Sequence, residues 1–321
     1  MTRVSVVVPT YRRPDLLRRC LAALRAQDLP PSDYEVIVAD DAADAGTREL
    51  VEREGARGAV PVRYVPVEGR HGPAAARNAG WRAARGAVIA FTDDDTVPAA
   101  DWLSHGLTAF VDGVVGAAGA IHVPAPPVPT DYERNAARLA EAEFATANCF
   151  YRRDVLAAVG GFDERFTTAW REDSDLYFTL LERGKRLVRA PDAVVVHPIR
   201  PAPWGVSLGQ QRKARFNALL YRKHPRLYRE RIQAAPPWRY YGIAGALLAS
   251  VGLALGGRRR AALAAVGVWL LLTGQFCAVR LRHTSRAPGH VAEMLVTSAL
   301  IPLLAVYWRL RGALSFRVPF L

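Results

Sequence analysis

Four short apolar runs alternate with helix-spaced segments in the first hundred residues, and no other feature of this 321-residue chain restricts its fold as much. Val4–Val8 closes in Pro9-Thr-Tyr11, Glu35–Ala39 in Asp40-Asp41, and Ala87–Phe91 in Thr92 and three consecutive aspartates; Val62–Val65 is the fourth run. Short β-branched runs of this kind fit strands buried on both faces. Between them, Pro14 marks a helix start, with Leu16, Leu17, Cys20, Leu21 and Leu24 at helical spacing, and Thr47–Glu54 and Pro73–Arg85 read as further helices. The alternation predicts an α/β fold with a doubly wound sheet.

In such sheets, ligands bind beyond the carboxyl ends of the strands. Those ends carry Thr10-Tyr11, Asp40-Asp41 and Asp93-Asp94-Asp95, so the polar groups fall where a ligand would meet them. Three adjacent carboxylates repel and raise one another's pKa unless something shares their charge. A hard cation such as Mg²⁺ or Mn²⁺, completed by phosphate oxygens, would do so.

Further along, Val123–Pro129 (V-P-A-P-P-V-P) fits neither a helix interior nor a central strand and reads as an extended connection. A helix is expected over 130–143, a strand over 145–151, a helix over 153–159 ending at Gly160-Gly161, a helix over 170–184 and a strand over 193–197. Glu172, Asp173 and Asp175 open the 170–184 helix, where carboxylates complement the dipole and where one could take a proton from an acceptor hydroxyl. His71-Gly-Pro-Ala-Ala-Ala-Arg77 sets small residues and an arginine where backbone and guanidinium could approach phosphates. A carboxylate at Asp40 or Asp41 could accept from a base imide or a ribose hydroxyl, Tyr11 could stack on the base, and His197, at a strand end, could join a metal.

Taken in order, Val4–Tyr11, Val38-Ala-Asp-Asp41, Gly72–Gly80 with Ala76-Arg-Asn78, Phe91–Asp95 and Arg171–Leu176 resemble the family 2 inverting glycosyltransferases with the type A (GT-A) fold. The resemblance covers about residues 4–200. It implies a nucleotide-diphospho-sugar donor, a divalent cation (Mg²⁺ or Mn²⁺) and single-displacement transfer that inverts the anomeric carbon. Position by position it implies that Tyr11 and Asp41 read the base, that Arg77 and Asp93 hold the nucleotide, that Asp95 binds the metal with Asp93 and His197, and that Asp173, beside Glu172, is the catalytic base, with Pro9, Asp40 and Asp94 as further candidates for the donor site. Two departures qualify it. Ala42-Ala43 stand where the family often has a small polar residue, and Gln210–Phe216 lacks the Gln-x-x-Arg-Trp motif of processive synthases, which favours transfer of a single sugar.

The net charge of +13 sits in the last third: residues 1–200 hold 25 Lys and Arg against 28 Asp and Glu, residues 201–321 hold 18 against 2. Basic clusters there flank long apolar stretches, a pattern of membrane anchoring, while the first 200 residues show no basic patch interleaved with stacking aromatics, so no nucleic-acid partner is expected. Domains are therefore expected at 1–205 (catalytic), 206–239 (a basic, aromatic interfacial segment) and 240–321 (membrane region). Spans are expected at about 240–257 and 261–279. Between Glu293 and Arg309 only fifteen residues are uncharged, about 22 Å of helix against a hydrocarbon core near 30 Å, so 291–308 is expected to lie in the interface or re-enter. Arginine balance puts the catalytic part on the cytoplasmic face of an inner membrane, and three widely spaced cysteines fit a reducing compartment.

The expected activity is transfer of one sugar from a UDP-, GDP- or dTDP-linked donor to a lipid-linked or membrane-bound hydroxyl acceptor in glycolipid or envelope glycan synthesis, with membrane lipids as further partners. A sugar nucleotidyltransferase and a non-catalytic membrane scaffold are the competing readings. The first is disfavoured by a glycine-free Pro9–Pro14 loop, the second by carboxylates kept at strand and helix ends.

Overall fold

A computed structural model describes residues 2–320. The strands are β1 (Val4–Thr10), β2 (Tyr34–Asp40), β3 (Val62–Pro66), β4 (Val88–Thr92), β5 (Val97–Pro98), β6 (Val114–His122), β7 (Asn148–Arg152) and β8 (Arg186–Val196). The helices are α1 (Pro14–Arg25), α2 (Ala45–Ala56), α3 (Pro73–Ala83), α4 (Trp102–Thr108), α5 (Asp131–Ala137), α6 (Arg153–Val159), α7 (Glu172–Glu182), α8 (Val206–Gln210), α9 (Arg215–Lys223), α10 (Pro225–Arg231), α11 (Trp238–Leu255), α12 (Arg259–Leu281) and α13 (Pro288–Ser315). Two compact units emerge: one holds the residues up to Pro124 together with Ala137–Ile199, the other Ala125–Ala136 and the residues from Arg200 on.

In the first unit, one eight-stranded sheet runs β3-β2-β1-β4-β7-β6-β8-β5. β1 pairs in parallel with β2 and β4, whereas β7 is antiparallel to both β4 and β6, so the sheet is mixed. Along β1 the side chains alternate between two cores: Val4, Val6 and Val8 pack with Leu17, Leu21 and Trp102, and Val7 packs with Trp81, Phe91 and Leu176 on the other face. Helices on both faces explain why the strand reads as a continuous apolar run rather than an alternating one. The parallel register Thr10↔Asp40 brings the carboxyl ends of β1 and β2 level, which is what gathers the polar residues.

Several boundaries differ from the sequence expectation. The 130–143 helix is only α5 followed by a 3₁₀ turn at Arg138–Glu141, and the strand expected at 193–197 begins seven residues earlier. α4, β5 and β6 carry no clear period in the sequence and went unpredicted; β6 (VVGAAGAIH) is rich in glycine and alanine, because Gly116 lies against Tyr151 and Gly119 against Asn148 and the Ala193 carbonyl.

In the second unit, the 206–239 segment breaks into α8, a 3₁₀ turn, α9 and α10. α12 and α13 are long and apolar enough to cross a membrane, which is consistent with anchoring. α13 overturns the length argument above: it runs 28 residues, about 42 Å, through Pro302. Both flanking charges lie inside it because each has a partner, Glu293 accepting from the Gly205 N–H (2.8 Å) and Arg309 donating to Gln233 (3.2 Å).

α3 packs against β1 through Gly80, where a Cβ would sit 2.4 Å from Val7 Cγ1. Val7 is fully buried and β-branched, so it has no room to yield. Gly80→Ala is expected to destabilise the protein by about 1–3 kcal/mol, read as a lower denaturant midpoint at unchanged slope.

Candidate active site

The turn after β4 sends its three aspartates in different directions. Thr96 fixes that turn: its N–H and hydroxyl both donate to the Asp93 carbonyl (3.2 and 2.8 Å), and its hydroxyl lies 2.6 Å from that of Thr92. The middle carboxylate turns back into the protein. Asp94, 2% exposed, accepts from the Thr10 hydroxyl (2.8 Å) and from Arg13 (3.2 Å), clasping the β1–α1 loop to the end of β4. Burial pushes its pKa up to about 6 against the opposing pull of Arg13 and Thr10. Asp94 thus holds the β1–α1 loop against the end of β4.

Asp93 and Asp95 point the other way, toward the end of β8. His197, just past β8, sets its Nε2 3.4 Å from Asp95 Oδ1, and one ligand atom from each of Asp93, Asp95 and His197 lies within 4.8 Å of the others. Backbone pairing holds the histidine there, its N–H donating to the His122 carbonyl at 2.8 Å. Two carboxylates and an imidazole at that spacing suit Mn²⁺ or Mg²⁺.

Behind Asp93 stands Arg77 of α3. Its guanidinium is 4% exposed and bridges two carboxylates, donating to Asp93 Oδ1 and Glu172 Oε1, both at 2.9 Å. Both terminal nitrogens of Arg77, the arginine expected beside the nucleotide, are thus paired with carboxylates. Glu172 is the first residue of α7 and is buried, and its other oxygen accepts the Trp170 N–H (2.7 Å). Burial raises its pKa to about 7 although Arg77 opposes the shift. Asp173 beside it is only partly buried, with Ser174 donating to its Oδ1 through N–H (2.6 Å) and hydroxyl (3.2 Å). It is close enough to perturb both Arg77 and Glu172 electrostatically.

At the end of β2 the two aspartates also divide. Asp40, fully buried, caps the β2–α2 turn by accepting the N–H groups of Ala42 (3.0 Å) and Asp44 (2.7 Å), and it takes the Tyr64 hydroxyl at 3.0 Å. That carboxylate is spent on the fold. Asp41 accepts the Gly72 N–H through both oxygens (2.8 and 3.0 Å), with His71 Nδ1 3.2 Å away, so it ties the loop before α3 to the sheet edge. Gly72 sits at φ +119° with a would-be Cβ 3.0 Å from the Thr167 carbonyl, which leaves glycine as the residue that fits. Pro9 is partly buried in β1 opposite Ala39, and Tyr11 is 51% exposed at the rim, with Arg12 over its ring at 5.5 Å.

The site therefore gathers Asp93, Asp95, His197, Arg77, Glu172 and Asp173, sets Asp41 and Tyr11 at the edge, and holds Asp40 and Asp94 in buried hydrogen bonds. Thr10, Arg13, Thr92 and Thr96 are supporting residues that sequence reasoning missed. Their hydroxyls and guanidinium carry no motif of their own, and only the β1–β4 adjacency reveals them.

Known proteins resemble this chain at several levels. The family model "Glycosyl transferase family 2" matches residues 5–163, and "Glycosyl transferase family group 2" matches residues 88–308. Glycosyltransferase AglE of Haloferax volcanii is 30% identical over 210 residues, covering 62% of this chain and 67% of that protein. Succinoglycan biosynthesis protein ExoM of Rhizobium meliloti is 30% identical over 209 residues (61% and 67%), and the pre-mycofactocin glycosyltransferase of Mycobacterium tuberculosis is 32% identical over 217 residues, 61% of this chain but 43% of that protein. Among solved structures, the mannosyltransferase PcManGT from Pyrobaculum calidifontis, in complex with GDP-Man and Mn²⁺, superposes with a TM-score of 0.58 at 23% identity over 94% of this chain and 87% of that one, which establishes the GT-A type of fold. With a family model spanning most of the chain and that sheet beneath its acidic strand ends, the protein belongs to glycosyltransferase family 2.

Proposed function

We propose that the protein transfers a single sugar, with inversion, from a nucleoside-diphospho-sugar to a hydroxyl of a membrane-associated acceptor. One observation carries the reading: Asp93, Asp95 and His197 converge within 4.8 Å at the strand ends, with Asp173 on the adjoining start of α7. A divalent cation held by those three residues would neutralise diphosphate charge. Tyr11 offers an exposed ring for the base, and Asp41 retains lone pairs for an imide or ribose donor. The Mn²⁺ and GDP-mannose named for the solved relative make GDP- and UDP-linked sugars the first donors to try.

In the reaction, the acceptor oxygen attacks the anomeric carbon while the carbon–oxygen bond to the diphosphate breaks. The diphosphate leaves with the electron pair, and the acceptor proton passes to Asp173. Arg77 and Glu172 do not touch the reacting atoms; they fix Asp93 relative to α7. Glu172, held by Arg77 and the Trp170 N–H, is a positioning residue.

Full-length protein is expected to turn over UDP-, GDP- or dTDP-sugars in the presence of Mn²⁺ or Mg²⁺ and to lose that turnover with chelator. Label appearing in a lipid extract supports the membrane acceptor, and label confined to soluble acceptors overturns that part. Asp173→Asn should lower kcat by about 10²–10⁴-fold with donor binding retained, and Asp95→Ala should raise the Mn²⁺ concentration needed for half-maximal rate. If no donor binds or reacts and both variants match the parent, the protein is not an enzyme of this class. Formation of a nucleotide-sugar from sugar phosphate and nucleoside triphosphate would instead favour the nucleotidyltransferase reading.

The raised pKa of Glu172 yields a stability prediction. Its folded value of about 7 exceeds the ordinary 4.5, so its favourable contribution is complete below about pH 4.5 and is lost as pH rises through 7. Metal-free Glu172→Gln should therefore lose less stability than the parent between pH 5 and 8 in denaturant titrations.

A further inference from the structure

The two carboxylates that Arg77 joins serve different parts of the site, Asp93 the metal seat and Glu172 the start of α7 beside Asp173. Charge does not balance across this bridge. One buried guanidinium lies between two carboxylates at 2.9 Å each, and Asp173 adds a third negative group next to Glu172. A buried cluster with more carboxylates than cations relieves the excess by keeping a proton.

Glu172 is the member that keeps it. Its side chain is 4% exposed against 27% for Asp93, so ionisation deprives it of more solvation. Burial is the largest influence on Glu172, Arg77 opposes it and Asp173 reinforces it, which leaves the pKa at about 7. The other groups around the bridge do not take the charge in its place. From β7 come Cys149 and Tyr151, both fully buried and both pushed upward by burial, so thiol and phenol stay neutral. Phe162 lays an apolar ring 5.9 Å from the guanidinium carbon, and Trp170 contributes a backbone N–H to the second Glu172 oxygen at 2.7 Å. Asp175, further along α7, is engaged electrostatically with Arg165.

Asp93 is therefore shared. A divalent cation held by Asp93, Asp95 and His197 draws on the carboxylate that Arg77 already holds, and what Asp93 gives up of the guanidinium passes to Glu172. Burial disfavours the Arg77 cation, and of the groups that offset this Asp93 pulls hardest and Glu172 next, so relieving the first strengthens the second. The freed guanidinium and the added positive charge both favour the ionised form of Glu172.

We propose that Glu172 is a proton-linked positioning residue: loading the metal seat expels a proton from the Asp93–Arg77–Glu172 bridge to solvent, and α7 gains a negative charge beside Asp173 as the seat gains its cation. This rests on the reading of Asp93, Asp95 and His197 as a metal seat. The first turn of α7 is thereby fully charged only when the donor side is occupied.

The test titrates Mn²⁺ alone into the whole chain in detergent micelles, by calorimetry in buffers of different ionisation enthalpy, which counts the protons released. Asp94 and His197 respond to the metal in parent and variant alike, so comparison with Glu172→Gln isolates Glu172. Near pH 7 the parent should release about half a proton more per Mn²⁺ than the variant. Their Mn²⁺ affinities should be alike at pH 6 and differ about five- to tenfold at pH 8, the parent binding more tightly. A second readout needs no variant: with isotope-labelled glutamate to set Glu172 apart from the aspartates, the parent at pH 6 should lose a protonated-carboxyl infrared band when Mn²⁺ is added. A purely structural Glu172 would lower the variant's stability without moving the proton count. Equal proton counts with Mn²⁺ bound, or a glutamate band that Mn²⁺ leaves unchanged, would overturn the proposal and leave the metal seat standing; absence of Mn²⁺ binding to the parent would overturn both.

Discussion

A single buried guanidinium organises the site. Arg77 reaches from α3 to the turn after β4 and to the first residue of α7, joining three elements far apart in sequence through two 2.9 Å contacts. Taking a charge out of water is costly unless it is paired and hydrogen-bonded. Here one positive charge is shared by two carboxylates, and its Nε has no hydrogen-bond partner. Removing the arginine would leave Glu172 buried and would let Asp93 relax, so the separation between Asp93 and Asp173 is set by the residue that bridges the two elements carrying them.

Around this bridge, identical side chains serve opposite ends. Asp40 and Asp94 are buried acceptors that close turns, whereas Asp93 and Asp95 stay gathered with His197 at the open strand ends. The division resolves the electrostatic oddity of three consecutive aspartates. Asp94 has Thr10 and Arg13 to share its charge, so the triplet presents two carboxylates to the site rather than three.

How much of this the sequence disclosed depends on the reach of each interaction. The strands and helices of the first hundred residues are local: β-branched runs, Pro14 and Pro73 at helix starts and apolar residues at helical spacing specify them directly. So is the presence of acidic strand ends, where Asp93 and Asp95 meet His197. Which carboxylate faces outward is not local. It follows from the pairing of β1 with β4 and from the position of α3, since Thr10 and Asp94 are 84 residues apart and Arg77 and Glu172 are 95. β6 stayed hidden for a related reason: its glycines answer to Tyr151 and Asn148 on the neighbouring strand, not to any strand propensity of their own.

The same limit governs the membrane region. Hydropathy and length describe a helix alone, and on those terms α13 is a better span than α11. Yet α13 is not alone: it packs against α8 and α9 as well as against α11 and α12, so its apolar length is only part of what places it. The end of α12 is fixed in the same way: Arg280 sits at 6% exposure because Asp131 accepts from its Nε and Nη2 (3.1 and 2.8 Å) while Thr297 and Ser298 accept from Nη1 (2.7 and 3.1 Å). His290 takes the Asp131 N–H at 2.9 Å and so secures that carboxylate's backbone to α13 as well. A charge satisfied so fully has no need to snorkel toward water, which lets Arg280 stay buried at the end of an apolar helix.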